Sequence, residues 1–424
     1  MSVFVQASAS RSRYLKSILS GIAILGVGAL LLSGCAPAAE TPGEGPQQDL
    51  TLKIGTLFPQ TGGFAYVGPP EEAAVQLAVK EVNDAKLGIA IELTLGDSGD
   101  TDNKAYATTT PALLNKGVSA IIGAPSSGVS KLVIDQVIGS GTILFSPGNT
   151  SPDFTTWDSH GMYFRTTPSD VLQGEVLGNL IAADGASTLG IIAVNDAYGT
   201  GLQTVTSKTF EGAGGKVVAT EFFNTGDTTF TAQISSVLAQ KPDAIALLTF
   251  DEAKTIIPAL KNAGVDTSKL YLVDANLQQY GTDLPAGIMT GAKGTTPGRA
   301  LSADFQKQLI DTYAATNNGA VLKDFVYAPE SYDAVMLLAL ASLAAHSTVG
   351  KDIAAKLREV SGGSGSGKKA TDFASAVKII NTGGVVDYDG ASGGVKFDEH
   401  GDPTEATIGI FQYDATNNFE RISK

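Results

Sequence analysis

Residues 120–128 read Ala-Ile-Ile-Gly-Ala-Pro-Ser-Ser-Gly, and residues 143–152 read Ile-Leu-Phe-Ser-Pro-Gly-Asn-Thr-Ser-Pro. In each, a short apolar run ends abruptly in small, hydroxylated and turn-forming residues. Runs of this length, bounded by turn signals, predict strands. Between them, from about Val129 to Ile138, the apolar spacing is helical. Strand, helix and strand at this spacing make a βαβ unit, whose strands are parallel. Working outward, the alternation recurs: Leu50 to Phe58 and Ile89 to Leu95 predict strands, and Glu71 to Ala85 and Asn103 to Lys116 predict helices.

A second series starts beyond Met162-Tyr163-Phe164-Arg165-Thr166-Thr167-Pro168. Strands are predicted at Leu189 to Val194, Lys216 to Phe223, Ala244 to Phe250 and Leu270 to Val273, with helices over 169–183, 199–213, 229–240 and 252–263. Two doubly wound parallel sheets in succession give an α/β fold class. Later helices are predicted at Ser302 to Thr316, Glu330 to Ala345, Lys351 to Val360 and Thr371 to Asn381, and from Gly393 the chain reads as strands and turns.

The N-terminal segment is of another kind. Arg11, Arg13 and Lys16 precede a mostly apolar stretch from Ile18 to Leu32, the basic and apolar regions of an export signal. The stretch is too short to span a bilayer comfortably. Leu32-Ser33-Gly34-Cys35 follows, and a small pair ahead of a cysteine resembles the lipobox of bacterial lipoproteins. That resemblance implies a signal over residues 1–34, acylation of the Cys35 thiol, and anchorage to the cell membrane from outside the cytoplasm. The competing reading is an uncleaved anchor helix with Cys35 a bystander. Residues 36–48, rich in Pro, Gly, Ala and Glu, predict a disordered tether over 35–48.

Cys35 is the only cysteine, so the body has no intramolecular disulfide and depends on its core. From Asp49 onward it is longer than one hydrophobic core usually serves, which predicts two domains. Without residues 1–34 the chain carries 26 Lys+Arg against 43 Asp+Glu, a formal charge of −17. That balance, with no concentrated basic face, disfavours nucleic acid as a partner.

In an open parallel sheet a ligand binds outside the carboxyl ends of the strands, and two such sheets facing each other make a cleft. The loops 124–128 and 146–152 lie at strand ends and offer hydroxyls and backbone N–H groups, a plausible cradle for a carboxylate. The plainer reading makes Ser126 or Ser127 only a helix cap and Pro147-Gly148 only a turn.

The order Ile-Ile-Gly, Ser-Ser, then Phe-Ser-Pro-Gly-Asn-Thr resembles the type I periplasmic solute-binding proteins of ABC transporters, in particular those for leucine, isoleucine and valine. Further matches run from about Leu52 to Phe411: Thr61-Gly62-Gly63-Phe64-Ala65-Tyr66-Val67-Gly68, Asn195-Asp196-Ala197-Tyr198-Gly199, Ala259-Leu260-Lys261-Asn262-Ala263-Gly264 and Ser331-Tyr332-Asp333-Ala334-Val335. The resemblance implies two discontinuous lobes joined by a multi-strand hinge, 49–167 with 298–386 and 168–297 with 387–424. It implies carboxylate donors at Ser127, Gly148 or Asn149, and Thr150, and a closing aromatic at Tyr198. The next family tyrosine falls near Phe250, which lacks the hydroxyl. An acid for the ligand's ammonium falls near Asp274, with Asn276 the alternative. Phe64 and Tyr66 are expected to line the side-chain pocket. The implied partners are a small-molecule ligand, an amino acid or similar, together with a permease and an ATPase; a monomer with no cofactor or metal is expected.

Two features are decoys. Gly362 to Lys369 nearly spells a phosphate-binding loop, but Lys369 stands where Ser or Thr must hold magnesium, and a helix precedes it. His160, His346 and His400 lack metal-ligand spacing. No Gly-x-Ser-x-Gly elbow follows a strand and no His-Glu-x-x-His occurs, which argues against a hydrolase. A sensing receptor of the same fold remains the alternative function, since fold alone does not choose between them.

Overall fold

The computed structural model describes residues 49–423. The predicted signal, Cys35 and the tether lie outside the described residues. Five strands, β1 (Leu50–Leu57), β2 (Ile89–Thr94), β3 (Ala120–Gly123), β4 (Ile143–Ser146) and β5 (Tyr163–Arg165), form a parallel sheet in the order β2-β1-β3-β4-β5. A second parallel set comprises β6 (Thr188–Val194), β7 (Lys216–Phe223), β8 (Ala244–Leu248), β9 (Leu270–Val273) and β10 (Lys293–Pro297), in the order β10-β9-β8-β6-β7. A two-stranded piece, β11 (Lys368–Ala370) with β12 (Val386–Tyr388), stands apart. Strands β13 (Ile408–Tyr413) and β14 (Phe419–Arg421) then extend the second sheet antiparallel beyond β10.

Strand alternation explains why the first sheet is covered on both faces. Ala120, Ile122, Ile143 and Phe145 face one core with residues of the helices Gly68–Ala85 and Ala328–Ala345. Ile121 and Leu144 face the other, with Val129, Val133 and Val137 of the helix Ser127–Gly139. Each fully buried side chain of this size contributes about 1.5–3 kcal/mol. The helix Ala328–Ala345 is apolar almost all round and correspondingly buried, from Ala328 to Leu343 apart from Tyr332, as a central core helix must be.

Most predicted elements agree with the structure to within a few residues. The helix Gly68–Ala85 starts three residues earlier than predicted because Pro69 and Pro70 occupy its first turn, where a missing N–H costs nothing. Strands β10 and β5 carried no prediction.

The chain leaves the first sheet after Arg165 and enters the helix Asp170–Ala183, whose Leu177 and Ile181 pack in the second core. It returns after Pro297 to the helix Ala303–Thr316, whose Leu309 packs with Ala73 and Leu77. The resemblance puts the last passage at 387, but Tyr388, Val395 and Phe397 pack in the first core. The chain joins the second sheet only at Ile408.

Candidate functional site

The loops at the carboxyl ends of the two sheets meet. From the first sheet, the Tyr66 hydroxyl donates to the carbonyl of Ala275, and Asp251 N donates to the carbonyl of Gly63 at 3.2 Å. A Cβ on Gly128 would stand 2.9 Å from Asp196 Oδ2, so the first turn of the helix Ser127–Gly139 closely approaches the opposing acid.

On the first-sheet side, the cap reading of the serine loop holds for Ser126. Ser126 caps the helix Ser127–Gly139, accepting from Val129 N at 3.3 Å. That leaves Ser127, whose hydroxyl donates to Asn149 Oδ1 at 2.8 Å and accepts from Ser151 N at 3.3 Å. Among the described residues Asn149 Nδ2 is buried with no hydrogen-bond partner, and Thr150 Oγ1 is buried beside Asp170 with none of good geometry. Gly148 lies under a tyrosine ring: a Cβ there would meet Pro125 Cβ at 2.7 Å and Tyr327 Cδ2 at 2.9 Å.

On the second-sheet side, Asp274 follows β9 and is 1 % exposed. Its Oδ1 accepts from the Tyr198 hydroxyl at 2.7 Å and from Gln173 Nε2 at 2.9 Å, and its Oδ2 accepts from the Tyr327 hydroxyl. Tyr198 is delivered by a cap: Asp196 Oδ1 accepts from Tyr198 N and Gly199 N at 3.0 and 2.9 Å, which starts the helix Ala197–Gly212. Asn276 is not part of this cluster. Its amide donates to Leu247 O and Thr249 Oγ1 and accepts from Val273 N, which braces the ends of β8 and β9.

The aromatics form a continuous wall. Phe64 and Phe250 are 4.8 Å apart between ring centroids, Phe64 and Tyr66 meet edge to face at 5.7 Å, and Tyr198 stacks on Phe250 at 5.7 Å. Tyr66, Tyr198, Phe250 and Tyr327 therefore surround the approach to Asp274.

Among the described residues, no lysine or arginine is hydrogen-bonded to either carboxyl of the cluster, Asp274 or Asp170. Burial raises the Asp274 pKa, against the pull of its tyrosine and glutamine donors. Asp170, fully buried, is raised well above the usual carboxylate range by burial and then by the neighbouring Asp274. The Thr150 hydroxyl and Arg165 offset part of that, yet neither Asp170 oxygen has a hydrogen-bond partner of good geometry. Arg165 itself is committed to Asp402.

The sequence reading did not single out Asp170, Gln173 or Tyr327. Asp170 and Gln173 lie in the first turn of a helix, where Asp reads as dipole complementation. Tyr327 holds φ +57° immediately before Ala328-Pro329, an uncommon conformation for a bulky residue. Its place just ahead of a proline-started helix was the available signal.

Two facing α/β sheets with a buried polar cluster at their joined edges define a cleft binder of small solutes. The periplasmic binding protein family profile matches residues 51–394, and the chain belongs to that family, whose members are solute-binding proteins that act outside the cytoplasm. The chain is 28 % identical over 297 residues to the leucine-, isoleucine-, valine-, threonine- and alanine-binding protein of Pseudomonas aeruginosa, covering 68 % of this chain and 77 % of the relative. It is 26 % identical over 360 residues to the substrate-binding protein BasB of a chemotactic signal transduction system in Halobacterium salinarum, covering 81 % and 83 %. Its fold matches the leucine-binding protein LivK of Thermotoga maritima with a TM-score of 0.72, at 22 % identity, over 88 % of this chain and 98 % of the other.

Proposed function

We propose that the protein is the lipid-anchored substrate-binding component of an ABC importer, capturing an amino acid, branched-chain or related, in the cleft and delivering it to a permease. The observation that carries this reading is the Asp274–Asp170 pair: two buried carboxyls, neutral side-chain donors around one of them, and among the described residues no lysine or arginine bonded to either. An α-ammonium group supplies the missing charge.

The ligand's carboxylate fits the opposite side, where the Asn149 side-chain amide and the Thr150 hydroxyl offer donors, with Ser127 and the Gly148 loop holding Asn149 in place through Asn149 Oδ1 and Ser146 Oγ. Phe64, Tyr66 and Phe250 supply an apolar wall for its side chain, and Tyr198 spans both regions. The lobes on either side are the two sheets with their helices, joined at Thr166 to Ser169, Gly298 to Ser302 and Glu405 to Thr407. Ligand contacts made to both lobes at once favour the closed form, and the closed form is what a permease recognises. Binding and release need no covalent step, so the protein is a carrier and not an enzyme, and a monomer suffices. Acylated Cys35 holds it at the membrane. A sensing role is the second reading, favoured by the similarity to a chemotactic substrate-binding protein.

A thermal-shift panel on protein stripped of carried ligand tests the reading, because a solute that binds only the folded state raises the melting temperature. Stabilisation by a group of amino acids supports it. Stabilisation only by solutes without an ammonium group contradicts it.

A further inference from the structure

Behind the cleft, where the chain passes between the sheets, lies a separate cavity of about 370 Å³. Its apolar wall includes Leu277, Phe325, Phe411 and Phe419. Charged side chains also reach it, and their commitments decide what it can hold. Arg421 donates to Gly298 O at 3.1 Å and to Ser423 Oγ at 3.3 Å, and lies over the Phe411 ring at 5.7 Å. Arg299 donates to the carbonyls of Ala391 and Gly390 at 3.0 and 2.5 Å. Lys323 is exposed, and Asp324 Oδ1 accepts from Gln279 N at 3.2 Å.

Glu330 is different. It is 4 % exposed, lines the cavity, and among the described residues no other residue donates a hydrogen bond to its carboxyl. Its carboxyl is set among the three passages between the sheets. The Glu330 carbonyl accepts from Thr166 Oγ1 at 2.9 Å, Gly298 would place a Cβ 3.2 Å from Glu330 Oε1, and a second cavity of about 20 Å³ joins Glu330 to Glu405 and Thr407.

We propose that this cavity is a second binding site, for a small organic ammonium ion with an apolar substituent. Glu330 receives the charged head in a charge-assisted hydrogen bond, and the aromatic walls receive the substituent and favour the cation. An occupant there touches segments of both lobes and the Tyr327 ring, whose hydroxyl reaches Asp274 in the cleft. Amine and cleft ligand are therefore thermodynamically linked, each altering the affinity for the other. The site stands independently of which solute the cleft takes.

The pH dependence follows from the surroundings of Glu330. Burial holds its pKa up at about 8, with Asp333 adding to the rise and Arg299 opposing it. Glu71 of the helix Gly68–Ala85 also faces it, a second carboxyl whose own pKa burial raises well above the usual range. At pH 7 a bound ammonium must therefore displace a proton from Glu330, and amine affinity rises with pH until that proton is gone.

Isothermal titration of the protein with n-butylammonium and benzylammonium chlorides, in buffers of different ionisation enthalpy, tests this. The expected result is one amine per chain, release of about one proton at pH 7, and tighter binding at pH 8.5. Glu330→Gln should weaken amine binding about tenfold or more while retaining the response to leucine; Asp274→Asn should retain amine binding. No binding at millimolar amine overturns the proposal. So does binding without proton release, or binding lost in Asp274→Asn and kept in Glu330→Gln, which would put the amine in the cleft.

Discussion

Arg165 and Asp402 lie 237 residues apart and meet in a buried, two-pronged ion pair, Nε to Oδ1 at 2.7 Å and Nη2 to Oδ2 at 2.6 Å. The same guanidinium donates to the carbonyls of Asn149 and Ser151 at 3.2 and 2.9 Å and to Thr155 Oγ1 at 2.9 Å. One side chain thus fixes the loop that presents Asn149 and Thr150 and ties it to the segment that leads back to the second sheet.

Replacing Arg165 by Met leaves the Asp402 carboxylate without its cation, held only by the Thr155 hydroxyl, and two carbonyls without their guanidinium donor. Removing one partner of a buried pair costs about 3–5 kcal/mol. Urea denaturation of Arg165→Met should show a loss of that order, with solute affinity reduced as well. A loss below about 1 kcal/mol would mean that the pair does not hold the loop.

Gly148→Ala tests the contact between the loop and the tyrosine. The new methyl falls within 3 Å of Pro125 and Tyr327, so the ring must move. Overpacking of this kind costs about 1–3 kcal/mol. The expected signature is a larger loss of ligand affinity than of stability, because the displaced Tyr327 hydroxyl leaves Asp274. Equal affinity with unchanged Tyr327–Asp274 geometry in a crystal structure would remove Tyr327 from the site.

Much of this architecture was legible in the sequence. The runs Ala120 to Gly123 and Ile143 to Phe145 located two central strands because parallel strands buried on both faces are apolar throughout. Strand β10, Lys-Gly-Thr-Thr-Pro, has no apolar residue to announce it; it is a strand only because β9 and β13 flank it. Of the site, the strand-end loops were legible through their turn and hydroxyl residues. Tyr327 and the Arg165–Asp402 pair were not, since each depends on a contact between segments far apart in the chain. The different surroundings of Asp274 and Asn276 also needed three dimensions: two residues apart, one faces three side-chain donors and the other spends its whole amide on the ends of β8 and β9.

Asn276→Ala is accordingly expected to destabilise without selective loss of binding. It leaves the carbonyl of Leu247, the Thr249 hydroxyl and Val273 N without their amide partner, at a cost of about 1–3 kcal/mol. Thermal melts and calorimetry on one preparation separate the two effects. Loss of affinity with unchanged melting would instead place Asn276 against the ligand.

Asp196 gives stability a pH slope. Burial lifts its pKa to about 6 from an ordinary 3.8, despite the N–H groups of Gly199 and Tyr198. The folded protein keeps this proton up to about pH 6, whereas the unfolded chain releases it near pH 4. Stability from this group is therefore lost as pH rises through that window. Asp196→Asn keeps a good helix cap and removes the slope, so its melting temperature should exceed that of the wild type at pH 7 and converge with it below about pH 4. A difference independent of pH would contradict this assignment.

The most direct measurement is isothermal titration of leucine, and then of whichever amino acid stabilises most, into stripped wild-type protein and into Asp274→Asn. A neutral amide in place of the carboxylate keeps the size of the side chain while removing the charge that faces the ammonium group. The account predicts that the variant melts within a few degrees of the wild type when empty and binds the amino acid about a hundredfold more weakly or worse. Equal affinity in Asp274→Asn would contradict it, and with it the assignment of the buried carboxyl pair as the ammonium site.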